Sequence, residues 1–377
     1  MILWVWAAVA HGHGGPPQSH ALLWDGAGDM IIASSHGLIF EDDHWSWVCD
    51  EVFETALPTK FITTAHRIVV ATTDGVAYSE TGCEWTWSSD LSGLVVWEIT
   101  TDIGDPNRIW AATENGMWRS DDHGSSFTFE GTPNAAASIR SFAQTTHDEF
   151  VVLGFIQGQA TAWFSDKNDW SAIDLPVDGG RLHILGIDAL GNTYARFPNS
   201  NGTDEMLRIT PDGLTQSLIE TDLSIRAFLS RGEVLLVSVD GQGTLSSLDG
   251  GQNWSLRSPQ TVRCLVSHGE IIWGCPIDGA LVMWLTADPG SLDDEFEWLD
   301  GAKFDSVQGP RCPEQLAECD TVWSQVAAEL GVNSDEVQEP ATDSGTTSSC
   351  LDVAPQNAVI LLWVPSLWIY RRRLSSK

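Results

Sequence analysis

From about residue 20 to residue 300 the chain repeats one arrangement of apolar and polar positions: a short apolar run, a polar loop, then an aromatic residue. Seven copies start at Gly37 (GLIFEDDHWSW), Gly75 (GVAYSETGCEW), Gly116 (GMWRSDDHGSSF), Ala160 (ATAWFSDKNDW), Glu205 (EMLRITPDGL), Gly243 (GTLSSLDGGQNW) and Ala280 (ALVMWLTADPGSLDDEFEW). Their starts lie about 37 to 45 residues apart. Two further apolar runs precede each copy, such as FITTAH with RIVVATT, or SIRAFLS with EVLLVSV. The runs are rich in Val, Ile, Phe and Trp and end on Gly, Asp, Asn or Pro, the composition of strands bounded by turns. Each unit therefore predicts four strands, and its length is that of one four-stranded blade. The pattern predicts an all-β chain folded as a seven-bladed β-propeller over residues 20–305.

Two loops share a stricter spacing. SDDHGSSF (120–127) and SLDGGQNW (247–254) both read Ser, any residue, Asp, any residue, Gly, any two residues, aromatic. A tight connection between antiparallel strands leaves backbone N–H groups to satisfy and needs a left-handed residue. Ser120, Asp122, Ser247 and Asp249 supply acceptors, while Gly124 and Gly251 supply the positive φ. Phe127 and Trp254 fall where the next strand begins, placed to drop their rings between neighbouring sheets. A carboxylate engaged by backbone donors is a poor acid or base, so Asp122 and Asp249 are expected to be structural. In these residues the chain resembles the Asp-box, or BNR-repeat, propellers, a group that includes sialidases, sortilin-type receptors, some glycoside hydrolases and photosystem II assembly factors. The versions at Asp42, Glu80 and Asp166 are degenerate.

Both ends carry address-like segments. Residues 1–10 (MILWVWAAVA) form an apolar run closing on Ala8-Val9-Ala10, which fits a signal peptide with a small-residue cleavage site. No basic residue precedes it, so a short signal, a start further upstream and a buried first strand all fit. Cleavage after Ala10 would open the chain on His11-Gly12-His13, an array of amine, amide and imidazole nitrogens suited to Cu(II) or Ni(II). The plainer expectation for residues 11–19 is a flexible glycine-rich leader, and no cofactor is expected.

Past residue 305 the pattern changes. TVWSQVAAEL sets Val322, Trp323, Val326, Ala327 and Leu330 on one face of a helix that Gly331 stops, within a segment 306–331. Residues 332–350 are acidic and Ser/Thr-rich, a solvated linker expected to be disordered. Residues 351–377 hold the apolar stretch AVILLWVPSLWIY, expected as one hydrophobic helix, before Arg371, Arg372 and Arg373. Cys350, the apolar stretch and the arginine cluster resemble the MYXO-CTERM sorting signals of myxobacterial surface proteins. That resemblance implies a sorting protease as partner and Cys350 as the processing or lipid-attachment residue. It also implies display on the cell surface or outer membrane of a Gram-negative bacterium. The stretch is shorter than the ~20 residues of a bilayer span, and the alternative is a plain C-terminal transmembrane anchor with its arginines in the cytoplasm.

Seven cysteines without a CxxC spacing argue for disulfides and export, and against zinc. Cys264 and Cys275 flank a hairpin whose turn between Gly269 and Glu270 sets them opposite each other. Cys312 with Cys319 around a short loop, and Cys49 with Cys83 stapling neighbouring blades, complete one of about 15 possible pairings. Cys350 is then left over.

A net charge of −33 argues against nucleic acid and anionic membrane surfaces as partners, leaving the membrane only to the C-terminal tail. The charge fits either a salty habitat or an ordinary acidic surface. A sialidase would need an early F-R-I-P motif, and the nearest string, ARFP at 195–198, lies mid-chain. Tyr78 and Tyr194 sit in strand-like runs where a packed ring is expected. The sequence therefore favours a non-catalytic binding or scaffolding module that holds a protein or glycan at a propeller face or in its channel. The alternative is a glycoside hydrolase on the same propeller, because 52 acidic residues offer many pairs of carboxylates.

Overall fold

The computed structural model describes residues 17–332, apart from 54–55, 147–148, 167–168, 178–181, 199–202, 278–279, 286–296 and 313–316. The chain divides into a unit over 1–337 and a second over 338–377, the latter wholly outside the described residues. The signal segment 1–10, His11, His13, Cys350 and Arg371 to Arg373 also lie outside them, as does all but the first residue of the 332–350 linker. No helix among the described residues is long and apolar enough to cross a membrane.

Seven antiparallel sheets follow one another, each built from four consecutive strands in up-and-down order. Blade 1 covers 19–48, blade 2 58–87, blade 3 96–131, blade 4 137–174, blade 5 183–221, blade 6 225–258 and blade 7 262–303. Every copy of the sequence repeat begins the third strand of a blade, or lies one residue into it. The first strands are Ser19–Trp24, Pro58–Thr63, Val96–Thr101, Ala137–Thr146, His183–Ile187, Ile225–Arg231 and Val262–His268. Each touches the first strand of the next blade, and the seventh touches the first, so together they line a central channel.

Burial explains why the strands read as they do. Second strands such as Ile68–Thr72 (IVVAT) and Ile109–Thr113 (IWAAT) are buried at every position, because neighbouring blades cover both faces. Fourth strands such as Asp169–Asp174 lie at the outer edge and are mostly solvent-exposed and polar. The seven first strands begin at the near end of the channel. The turns from first to second strand and from third to fourth strand lie at the far end.

The ring closes with its C-terminal segment. A strand that the sequence pattern did not predict, Val307–Pro310, adds to the outer edge of blade 1, parallel to Trp45–Val48. The predicted helix follows as Ala317–Leu330 and buries Trp323, Val326, Ala327 and Leu330, stopping before Gly331 at φ +80°. Trp323 lies 5.4 Å from Trp47 of blade 1, a ring with no solvent exposure. His36 adds a 2.8 Å contact to Glu329 of the helix.

Three disulfides form, and two differ from the expected pairing. Cys264 and Cys275 bond directly across their hairpin. Cys49 bonds Cys319 and Cys83 bonds Cys312, in place of Cys49 with Cys83 and Cys312 with Cys319. The closing strand causes the difference: it carries Cys312 to the outer edges of blades 1 and 2, and the first helical turn then presents Cys319 to Cys49. By loop entropy, and taken without the nested Cys83–Cys312 bridge, the 270-residue bridge contributes about 6 kcal/mol against about 3 for the 11-residue one.

Candidate functional site

The two loops of shared spacing connect third to fourth strands in blades 3 and 6, at the far end of the channel. They close alike. Ser120 Oγ donates to Asp122 at 2.8 Å and accepts from the Gly124 N–H, as Ser247 does with Asp249 and Gly251. Asp122 also accepts from the Ser126 N–H and hydroxyl, and Asp249 from the backbone and side-chain amides of Asn253. The Asn253 side chain first, then the Asn253 backbone and Ser247, hold the Asp249 carboxyl down at about 2. For Asp122, burial pushes the value up, but the hydrogen bonds from Ser126 and Ser120 outweigh it. Gly124 and Gly251 both have φ +89°. A Cβ on Gly251 would come within 2.6 Å of Leu218. Phe127 is buried among residues of blades 2 and 3, and Trp254 packs against those of blades 5 and 6.

Far-end acids of the channel strands are engaged in the same way. Asp25 accepts from the N–H groups of Ala27, Gly28 and Asp29. Asp102 accepts from Gly104 and Asp105 N–H, Trp110 Nε1 and Gln144 Nε2. Burial raises its pKa, yet these bonds prevail and hold it below the usual carboxylate range. Asp188 accepts from Leu190 and Asn192 N–H and from the hydroxyl of Tyr194, a fully buried ring whose ionisation burial drives upward. Tyr78 lies under the Arg67 guanidinium at 4.5 Å.

Inside the channel, a cavity of about 310 Å³ is bounded by first strands of blades 2 to 5, with Lys60, Glu98, Thr100 and Gln144 among its polar walls. Glu98 is buried. It receives the Lys60 ammonium and, at 3.1 Å, the Ser141 hydroxyl, which in turn accepts the Ile184 N–H. His183 Nδ1 lies 4.0 Å from Glu98. Partial desolvation against the channel wall lowers the pKa of the half-exposed His183, and the attraction of Glu98 only partly opposes it.

At the near mouth, six of the seven first strands break register against their second strands, and the blade 5 strand breaks deeper in the channel, past Ile184. The extra residues are His20, Thr59, Trp97, Arg140, Leu185, Arg226 and Arg263. A bulge of this kind re-aims one side chain out of the alternating pattern. Here it repeats around a ring, placing six side chains at the rim, while Leu185 lines the channel cavity. Sequence reasoning missed this ring. Its one trace is an aliphatic-Arg pair opening three of the runs, Ile139-Arg140, Ile225-Arg226 and Val262-Arg263. Arg140 stacks on Trp97 at 4.8 Å and lies 3.6 Å from Glu114, and Arg226 donates to Asp240 at 2.8 Å.

Among the described residues, no group of three or more His, Cys, Asp or Glu could hold a metal ion. No protein-family model and no curated protein matches the sequence. Solved structures do share the fold. A GH74 xyloglucanase from Xanthomonas campestris is 15% identical over 77% of this chain and 55% of its own, at a TM-score of 0.57. An extracellular domain from B. thetaiotaomicron is 16% identical over 70% of this chain and 38% of its own, at 0.50. YCF48 from Cyanidioschyzon merolae is 12% identical over 72% of this chain and 98% of its own, also at 0.50, and YCF48 is further known bound to D1 peptide. This chain thus spans about half the length of the xyloglucanase and less of the extracellular domain. At these identities the likeness is one of fold, shared by glycoside hydrolases and by propellers that bind peptide.

Proposed function

We propose that this chain is an exported, non-catalytic propeller that binds or scaffolds a protein or glycan ligand at the near mouth of its channel. One observation carries the reading: Glu98, the one acid among the described residues of the channel strands, and the leading acid of three of their turns are already committed. Glu98 is held by Lys60 and Ser141, and Asp25, Asp102 and Asp188 cap turn N–H groups. A carboxylate so engaged is poorly placed to exchange protons with a glycoside. The rim, by contrast, presents a tryptophan, three arginines and a histidine at matched positions.

Export is supported by the three disulfides, which form in oxidising compartments. We extend the proposal to the tail: residues 332–350 tether the propeller, and 351–377 with Cys350 and the arginine cluster direct it to the cell surface. Phe127 and Trp254, with the Ser, Asp and Gly of their loops, serve as wedges between blades in the manner of Asp boxes.

A glycan array and a pull-down against the producing cell's envelope, run beside a panel of chromogenic glycosides, test the function. Retention without turnover is expected, and robust hydrolysis of any glycoside contradicts it. Intact mass tests the tail: the mature chain is expected to end near Cys350, and Arg371 to Lys377 still attached contradicts processing.

A further inference from the structure

We propose that the arc of Arg226, Arg263 and His20 on the near mouth is a monoanion site for the carboxylate of a polyhydroxy acid, an aldonate or a uronate. The inference rests on the binding reading above and names the ligand class.

The three residues occupy the bulge position of blades 6, 7 and 1, which are consecutive around the ring. Arginine stands at three of the seven bulges and an acid at none, in a chain with 19 Lys and Arg against 52 Asp and Glu. The three arginines differ in how they are met. Arg140 has Glu114 and the face of Trp97, and Arg226 has Asp240. Arg263 has no carboxylate within ion-pair distance among the described residues, and its Nε is buried without a hydrogen-bond partner.

The electrostatics agree with this placement. Burial first, then the charge of Arg226, pulls the Arg263 pKa below its ordinary value, with Asp240 opposing. Burial and then Arg263 lower that of His20, which favours the neutral ring. Arg226 and Asp240 cancel each other, so the arc carries one unmet positive charge, on a planar donor fork suited to a carboxylate. A half-buried guanidinium whose Nε–H is buried and idle is costly, and an arriving anion would supply what the fold withholds. The single charge selects a monoanion over a phosphate dianion, which would add negative charge to a chain already at −33. On the other side of the channel, running from Lys60 just inside the mouth to Thr100, Thr101 and Gln144 toward the far end, the cavity of about 310 Å³ offers a polar wall fit for hydroxyl groups.

The test is calorimetric titration of the full chain at low salt with gluconate, trigalacturonate, maltotriose and inorganic phosphate, and with one peptide bearing either a free or an amidated C terminus. Gluconate binding assigns a free acid and tighter trigalacturonate binding assigns a glycan's uronate; both support the site. Arg263→Gln should weaken the bound acid about tenfold or more, and Arg231→Gln, at the far end of the blade 6 strand, should not. Arg263→Met should lose binding while melting no lower than the parent, because it removes an unmet buried donor. Should the Arg263 variants not fold, protection of Arg263 from phenylglyoxal by the bound acid decides. Equal modification with and without that acid overturns the site. So do unchanged affinity in folded Arg263→Gln, no binding of either acid, and equal or tighter binding of maltotriose, phosphate or the free peptide terminus. A carboxylate-free ligand retained on the array would sink this site but leave the binding reading. Turnover of trigalacturonate would sink the binding reading but leave the site.

Discussion

The far-end loops and the inner mouth of the ring treat their charged groups in opposite ways. At the outer edge and in the far-end loops the acids and cysteines that close the structure are met, although His123 Nδ1, Trp254 Nε1 and Trp298 Nε1 are buried there without hydrogen-bond partners: Cys49 and Cys83 are crosslinked to the C-terminal segment, and Asp122 and Asp249 each gather several donors. At the near mouth, Arg263 Nε and Trp97 Nε1 are buried without hydrogen-bond partners. Satisfied groups hold a structure in one state, and unsatisfied ones leave interaction energy for something that arrives. On the proposed reading, the outer edge holds the ring together and the mouth is where it meets a ligand.

If that division is right, outer-edge changes should cost stability and mouth changes should cost binding. The largest expected effect is on the closure. Removing Cys49 and Cys319 together should lower urea stability by about 4 kcal/mol, because Cys83–Cys312 still ties the segment and the loop released is about 41 residues, against about 3 for removing Cys264 and Cys275. Equal losses would break the contrast between a bridge that closes the ring and one that staples a hairpin. Trp47→Ala, which opens a cavity between blade 1 and the helix, should cost about 4 kcal/mol in the same assay. Gly251→Ala should cost about 2 kcal/mol, exceeding Gly232→Ala, because both have positive φ but only Gly251 meets a neighbour.

A smaller effect should follow pH. Asp249 is held at about 2, below the usual 3.8, so its contribution is fully present above 3.8 and is lost as pH falls through the interval between them. Asp249→Asn should flatten that part of the acid melting curve, and a curve of unchanged slope would remove the loop from the account. The smallest effect on stability belongs to the mouth. Arg226→Gln breaks a pair about one-third exposed, so it should change unfolding free energy by less than about 1 kcal/mol.

Much of the ring was legible in the sequence because its repeating unit spells itself out. The third strands at Gly37, Gly75, Gly116 and Gly243 each open on a glycine with positive φ, and the following loop and aromatic mark the register. Cys264 with Cys275 was legible because a hairpin fixes its own geometry. Cys49 with Cys319 was not, since its pairing depends on where the strand Val307–Pro310 docks. VQGP has neither alternation nor β-branched density to announce itself beyond Val307. The mouth was the least legible part. A bulge is a one-residue slip between paired strands, visible only once the pairing is known, and Arg263 reads in sequence like any surface arginine.

Hydrogen exchange of the full chain with and without trigalacturonate tests the central division most directly. The account predicts slowed exchange in 19–24, 225–231 and 262–268, with 120–127 and 247–254 unchanged. Slowing confined to those two loops, with the three inner strands unaffected, would contradict it.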